Sequence, residues 1–211
     1  MSTSISNEVS SKLLEIEAIK LNLKNPYTWA SGWNSPIYCD NRLSLSYPQI
    51  RSFIKEALIG LISQKFHSVQ AIAGVATAGI PQGVLVAEAL GLPFIYVRAK
   101  AKGHGLTNMI EGVVKKGQKV VLIEDLISTG GSSIKAALAL RDADLEVLGM
   151  AAIFTYSFKV AEDNFKEAAL EVHTLSNYND MIEEAVGSAY ITADEVDSLK
   201  AWREDPGNWK A

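Results

Sequence analysis

The chain holds a single cysteine, Cys39, among 211 residues, so no internal disulfide and no thiolate cluster around a metal can form. A reducing, cytoplasmic setting is the expectation. There is no excess of positive charge either: 20 Lys and Arg stand against 24 Asp and Glu, a formal net charge of -4. Nucleic acid and anionic membrane call for a positive field over the whole contact face, so neither is an expected partner. No apolar run is long enough to cross a bilayer, even around residues 147–154. Residues 1–11 are polar and serine-rich, fit neither a signal peptide nor an anchor, and read as a loose tail. Repeats and linkers are missing as well, which leads us to expect one domain over 1–211, with a lid region over about 1–46.

What is present is the balance of a water-soluble globular chain, 48% hydrophobic and 21% charged residues. Val9, Leu13, Ile16, Ile19 and Leu23 recur at helical spacing, and Asn25-Pro26 would stop that helix. Residues 28–46 read as loop with short strands. A wide apolar stripe from Ile50 to Ile62 predicts a helix packed on a sheet. An alternation follows: strand 69–73, helix 80–90, strand 94–97, strand 119–123, helix 132–141 and strand 147–154. Strands without polar alternation are buried on both faces, and helices between them make right-handed crossovers. The expected fold class is α/β, a mostly parallel twisted sheet covered on both faces. Residues 98–113 are glycine-rich and polar and read as a mobile flap, with a short return at 109–114. Helices over 163–169, 178–186 and 194–202, with a strand over 170–175, close the chain.

The segment with the most chemistry is VVLIEDLISTGGSS, residues 120–133. An apolar strand runs out into Glu124 and Asp125, a short turn through Leu126, Ile127 and Ser128, then Thr129, Gly130, Gly131 and Ser132 opening a helix. In an open parallel sheet ligands bind beyond the carboxyl ends of the strands, so both acids are expected at the mouth of that crevice, where they suit sugar hydroxyls. The two glycines let backbone approach an anion, and the helix offers unsatisfied N–H groups and a positive dipole end. Acids for a diol beside amides for a phosphate match ribose 5-phosphate. No lysine follows the glycines, as a triphosphate loop would require. Taken alone, Thr-Gly-Gly-Ser is also an ordinary helix start.

Residues 120–133 resemble the signature of type I phosphoribosyltransferases, whose donor is 5-phosphoribosyl 1-diphosphate. ASGWNSPIYCDNR over 30–42 and RAKAKGHG over 98–105 resemble the orotate branch of that family, and the likeness extends over nearly the whole chain. The resemblance implies transfer of the phosphoribosyl group to orotate, giving orotidine 5'-phosphate and diphosphate in de novo UMP synthesis. It implies Mg²⁺ held mainly by substrate rather than by protein ligands, and a homodimer with shared active sites. Arg98, Lys102 and His104 match the flap cations that close over the pyrophosphate, with Gly103 and Gly105 as hinges. Such cations would stabilise charge on the departing group, by about 3 kcal/mol each.

AGVATAGIP, residues 73–81, resembles the family's pyrophosphate loop, and its small residues serve close helix-on-strand packing equally well. Relatives carry lysines where Ala30 and Ala78 stand, and an arginine near Phe158. Orotate is therefore expected to meet Ser128, Tyr38 and amides near Tyr38 and Cys39, with Tyr38 presenting an aromatic face. Two rivals remain open here, a purine phosphoribosyltransferase and a donor-binding regulator of nucleic acid. The second needs a basic face or a DNA-binding extension.

Overall fold

The computed structural model describes residues 4–29, 32–100 and 109–210. The first helix, α1 (Ile5–Glu15), opens where a loose tail was expected, because Ser4 caps it and accepts from the Asn7 amide at 3.2 Å. It also ends early: Glu17 takes a left-handed conformation, φ 55°, and Ile19 enters a strand instead of a fifth helical turn. A spacing of three apolar residues is met equally well by a helix that stops and a strand that starts on the same core. The strands β1 (Ile19–Leu21) and β4 (Ile37–Cys39) pair antiparallel, Ile19 opposite Cys39. Between them β2 (Tyr27–Thr28) and β3 (Asn34–Ser35) form a second small ribbon, and a 3-10 helix Asn41–Ser46 follows.

α2 (Pro48–Lys65) starts on proline and buries Ile50, Ile54, Leu58 and Ile62, every fourth residue. Then come β5 (Ala71–Val75), α3 (Gly79–Leu90), β6 (Phe94–Val97) and β7 (Ile110–Glu111). β8 (Lys119–Ile127), α4 (Gly131–Asp142), β9 (Glu146–Thr155) and α5 (Lys159–Glu167) continue the alternation. β10 (Val172–Asn177), α6 (Tyr178–Gly187) and α7 (Val196–Glu204) complete it. The six-stranded sheet has the order β10-β9-β8-β5-β6-β7, and every pair is parallel except β6 with β7. The α/β expectation holds, with both faces covered. One apolar layer joins α1, α2, α3, α6 and α7 to Val121, Ile123 and Ala151. The other joins α4 and α5 to Val120, Leu122 and Met150.

Two close approaches fix the helices that start at the sheet's carboxyl edge. A Cβ on Gly79 would lie 2.2 Å from the Ile123 carbonyl oxygen, so only glycine lets α3 begin against β8. Gly130 has φ 79°, and a Cβ there would lie 2.6 Å from the Phe165 ring.

Candidate active site

β8 is longer than expected and carries Glu124 and Asp125 as strand residues, not as the start of a turn. Their carboxyl groups lie close enough to bond and to feel each other's charge. Glu124 is 5% exposed, facing α4, where the buried Ser133 hydroxyl donates to its Oε2 at 3.0 Å. Its Oε1 accepts from the Asp125 amide, also at 3.0 Å. Burial, then the neighbouring Asp125 charge, pushes the Glu124 carboxyl up to about 8. Asp125 is half-buried and also raised, chiefly by burial. Glu124 is thus tied to Ser133 and to the Asp125 amide, and Asp125 is the less buried of the two acids. The pattern of two acids after an apolar run does not show that Glu124 is bonded internally in this way.

Beyond β8, Ser128 and Thr129 lead to Gly130 in the left-handed region, and α4 starts at Gly131 with no side-chain cap. The amides of Thr129, Gly130, Gly131 and Ser132 donate to no acceptor among the described residues. Thr129, Gly131 and Ser132 are exposed, and a Cβ on Gly131 would meet nothing within 4 Å. Open amides over empty space at a helix start make an anion cradle. The Asn164 amide holds the loop from beneath, donating to the Thr129 carbonyl at 3.0 Å. A second set of open amides, Thr77, Ala78 and Gly79, lies where α3 begins without a side-chain cap. Ala78, which stands where relatives carry lysine, is itself that cap position.

On the other side of the β8 end lies a cavity of about 410 Å³ lined by Thr28, Trp29, Tyr38, Cys39, Leu126, Ser128 and Tyr156. The structure thus brings together Tyr38, Cys39 and Ser128, three residues expected to serve one ligand, and sets them next to the cradle. Burial raises the Cys39 thiol, with the Asp125 and Asp40 charges adding to it, so it remains protonated. Asn41, 2% exposed, links cavity to strand: its Nδ2 donates to the Asp125 carbonyl at 2.7 Å, and its Oδ1 accepts from Cys39 Sγ at 3.4 Å.

Trp29 and Tyr156 were not expected at the site. Tyr156 directly follows the carboxyl end of β9, the edge at which parallel sheets bind ligands, and that placement could have marked it. Phe158 is 3% exposed and packs on Tyr156, Trp33 and Trp202 with ring centres 5.5, 6.2 and 5.4 Å apart. The position of the missing arginine is thus a core position here.

Arg98 pairs with Glu111 at 3.1 Å across the β6–β7 ladder, so in this state its guanidinium is spent on a carboxylate. Lys102, His104, Gly103 and Gly105 lie outside the described residues, as do Ala30 and Ser31. Among the described residues no three His, Cys, Asp or Glu side chains gather as metal ligands, and no helix is long and apolar enough to cross a membrane.

The phosphoribosyl transferase domain family matches residues 46–190. Orotate phosphoribosyltransferase of Cytophaga hutchinsonii is 56% identical over 203 residues, covering 96% of this chain and 97% of that protein. The enzyme of the same name from Porphyromonas gingivalis is 57% identical over 201 residues, 95% and 96% of the two chains. The chain belongs to the orotate phosphoribosyltransferases. Solved structures agree with this family. Orotate phosphoribosyltransferase from Aeropyrum pernix superposes with a TM-score of 0.76 at 25% identity, covering 87% of this chain and 99% of that one. Leishmania donovani UMP synthase gives 0.80 at 26% identity, with 94% of this chain matched to 42% of the longer protein. Membership makes the chain a transferase and accounts for the placing of cradle and cavity on one strand end.

Proposed function

We propose that the chain transfers the phosphoribosyl group of 5-phosphoribosyl 1-diphosphate to orotate, releasing orotidine 5'-phosphate and diphosphate in de novo UMP synthesis. One observation carries this reading: the anion cradle of residues 129–132 and the aromatic-lined cavity flank the same strand end, with Asp125 between them. In this reading the cradle amides and the Thr129 and Ser132 hydroxyls hold the 5-phosphate. Asp125 accepts from the ribose hydroxyls, and Leu126, Ile127 and Ser128 carry the backbone past the sugar. Glu124, whose Oε1 also holds the Asp125 amide, joins Asp125 in orienting the sugar hydroxyls.

The base enters the cavity, with Trp29, Tyr38 and Tyr156 as aromatic walls and Ser128 as a donor. Bond breaking at the anomeric carbon leaves charge on the diphosphate, close to the open amides of Thr77 and Ala78. Arg98, Lys102 and His104 assist its departure once Arg98 leaves Glu111. A hard cation suits the site: Mg²⁺ would be held mainly by the oxygens of the substrate, with water in its remaining positions. When bound, Mg²⁺ neutralises diphosphate charge. The reading includes a homodimer in which the flap of one subunit serves the other's site, and a place in the cytoplasm.

The test is to mix protein, donor, Mg²⁺ and orotate and follow orotate absorbance, then repeat with hypoxanthine, adenine and uracil. Loss of orotate alone is the expected result. Turnover of a purine in its place would move the chain to the purine branch.

A further inference from the structure

Among the described residues, the lining of the base cavity contains no cation. Its side chains are two indole or aliphatic groups, Trp29 and Leu126, and five weak neutral donors, Thr28, Tyr38, Cys39, Ser128 and Tyr156. Orotate carries a carboxylate on its ring, and a carboxylate removed from water without donors is costly. Some neutral group in this wall has to meet it, and the five are not equivalent. Thr28 and Tyr38 are exposed, the latter by 42%, so water already solvates their hydroxyls. Ser128 begins the sugar-phosphate loop, and Cys39 is a weak donor already directed at Asn41. Tyr156 is 2% exposed, lines the cavity, and has no hydrogen-bond partner for its hydroxyl among the described residues.

We propose that the Tyr156 hydroxyl is a specificity-determining donor of this enzyme, reading the carboxylate of its pyrimidine substrate where no guanidinium is present. The ring is held for this purpose from three sides. Phe158 stacks on it at 5.5 Å, Phe154 meets it edge-on at 5.7 Å, and Trp202 does so at 5.9 Å. Trp29 approaches to 4.9 Å on the cavity side. A ring so enclosed places its hydroxyl with little freedom, which lowers the entropy lost when a ligand binds. Burial raises the phenol well above its ordinary range, so it stays a neutral donor at every pH the enzyme meets and adds no negative charge beside a carboxylate. The wall also explains discrimination. Neutral uracil carries no carboxylate, so it forgoes the charge-assisted bond that orotate gains from this donor.

This inference rests on orotate being the substrate, and the experiment separates the two. Parent enzyme is first assayed with orotate and Mg²⁺; no turnover there removes the functional reading itself. Tyr156→Phe is then compared with the parent for KM of orotate, KM of the donor, and inhibition by uracil. Because the hydroxyl has no partner among the described residues, the variant is expected to fold with an unchanged Tm. The orotate KM is expected to rise about ten- to a hundredfold, as for loss of one hydrogen bond to a charged group, with donor KM and uracil inhibition unchanged. Tyr156→His, which keeps an aromatic ring with an N–H, should recover part of the loss. An orotate KM within twofold of the parent in the folded Tyr156→Phe variant overturns the proposal, and so does an equal loss for orotate and uracil, which would mean that the hydroxyl reads a ring carbonyl.

Discussion

At the scale of single residues, two adjacent glycines do different work. Gly130 is demanded by the protein, through its positive φ and the Phe165 ring 2.6 Å from a would-be Cβ. Gly131 is not, since a Cβ there points into open space. Gly130→Ala is expected to cost about 1–3 kcal/mol of stability in urea unfolding. Gly131→Ala should leave stability within about 1 kcal/mol, because alanine suits a helix start better, yet raise the donor KM by intruding on the cradle. Equal stability losses in the pair would remove the distinction. Glu124 makes a pH prediction. Its carboxyl lies near 8 in the fold against 4.5 in the open chain, so between those values the folded state binds more protons. Stability must then fall as pH rises through that window. Glu124→Gln can keep both partners, accepting from the Asp125 amide and donating to Ser133. Its Tm should therefore change less than the parent's between pH 5.5 and 8, and parallel curves would show that Glu124 titrates normally. The roles of these residues were only partly legible beforehand: a run of two acids and two glycines announces a sugar-phosphate site, but not that Glu124 is bonded internally or that the fold demands Gly130 and not Gly131.

At the scale of elements, the sequence was most readable where burial is symmetric. β6 and α3 fall within a residue of expectation because apolar runs bounded by Gly and Pro allow little else. The N-terminal region was least readable, since Ile16 and Ile19 serve one core from a helix and then from a strand. α7 was expected as a helix, but not as the back wall of the base cavity. Trp202, fully buried, donates from Nε1 to the Asn34 carbonyl at 3.0 Å and meets Trp29 edge-on at 5.4 Å. No local pattern reveals a contact across 168 residues of chain. Trp202→Phe keeps the ring and leaves that carbonyl unmet, at about 1–2 kcal/mol, which lowers Tm by roughly 2–4 °C per kcal/mol in a chain of this size. The orotate KM should rise severalfold with the donor KM unmoved. A change in both to the same degree would show that α7 supports the fold and not the cavity.

At the scale of the molecule, the parallel sheet places everything reactive along one edge, and that much followed from the alternation of elements alone. What did not follow is how a chain whose Arg98 is engaged with Glu111 completes the site. If subunits exchange flaps, inactive Lys102→Ala and Asp125→Asn chains should regain part of the parent activity on co-expression, because one of the two sites in a mixed dimer has both residues intact. No recovery would place each flap over its own site. Asn41 has a last consequence. One amide touches the thiol of the base chamber and the carbonyl of the sugar-gripping acid, so a base that shifts one wall by a fraction of an ångström also moves the other. The two substrates should therefore sense each other: whichever arrives first pre-sets the clasp for the second, and the gain in affinity must be equal in both directions.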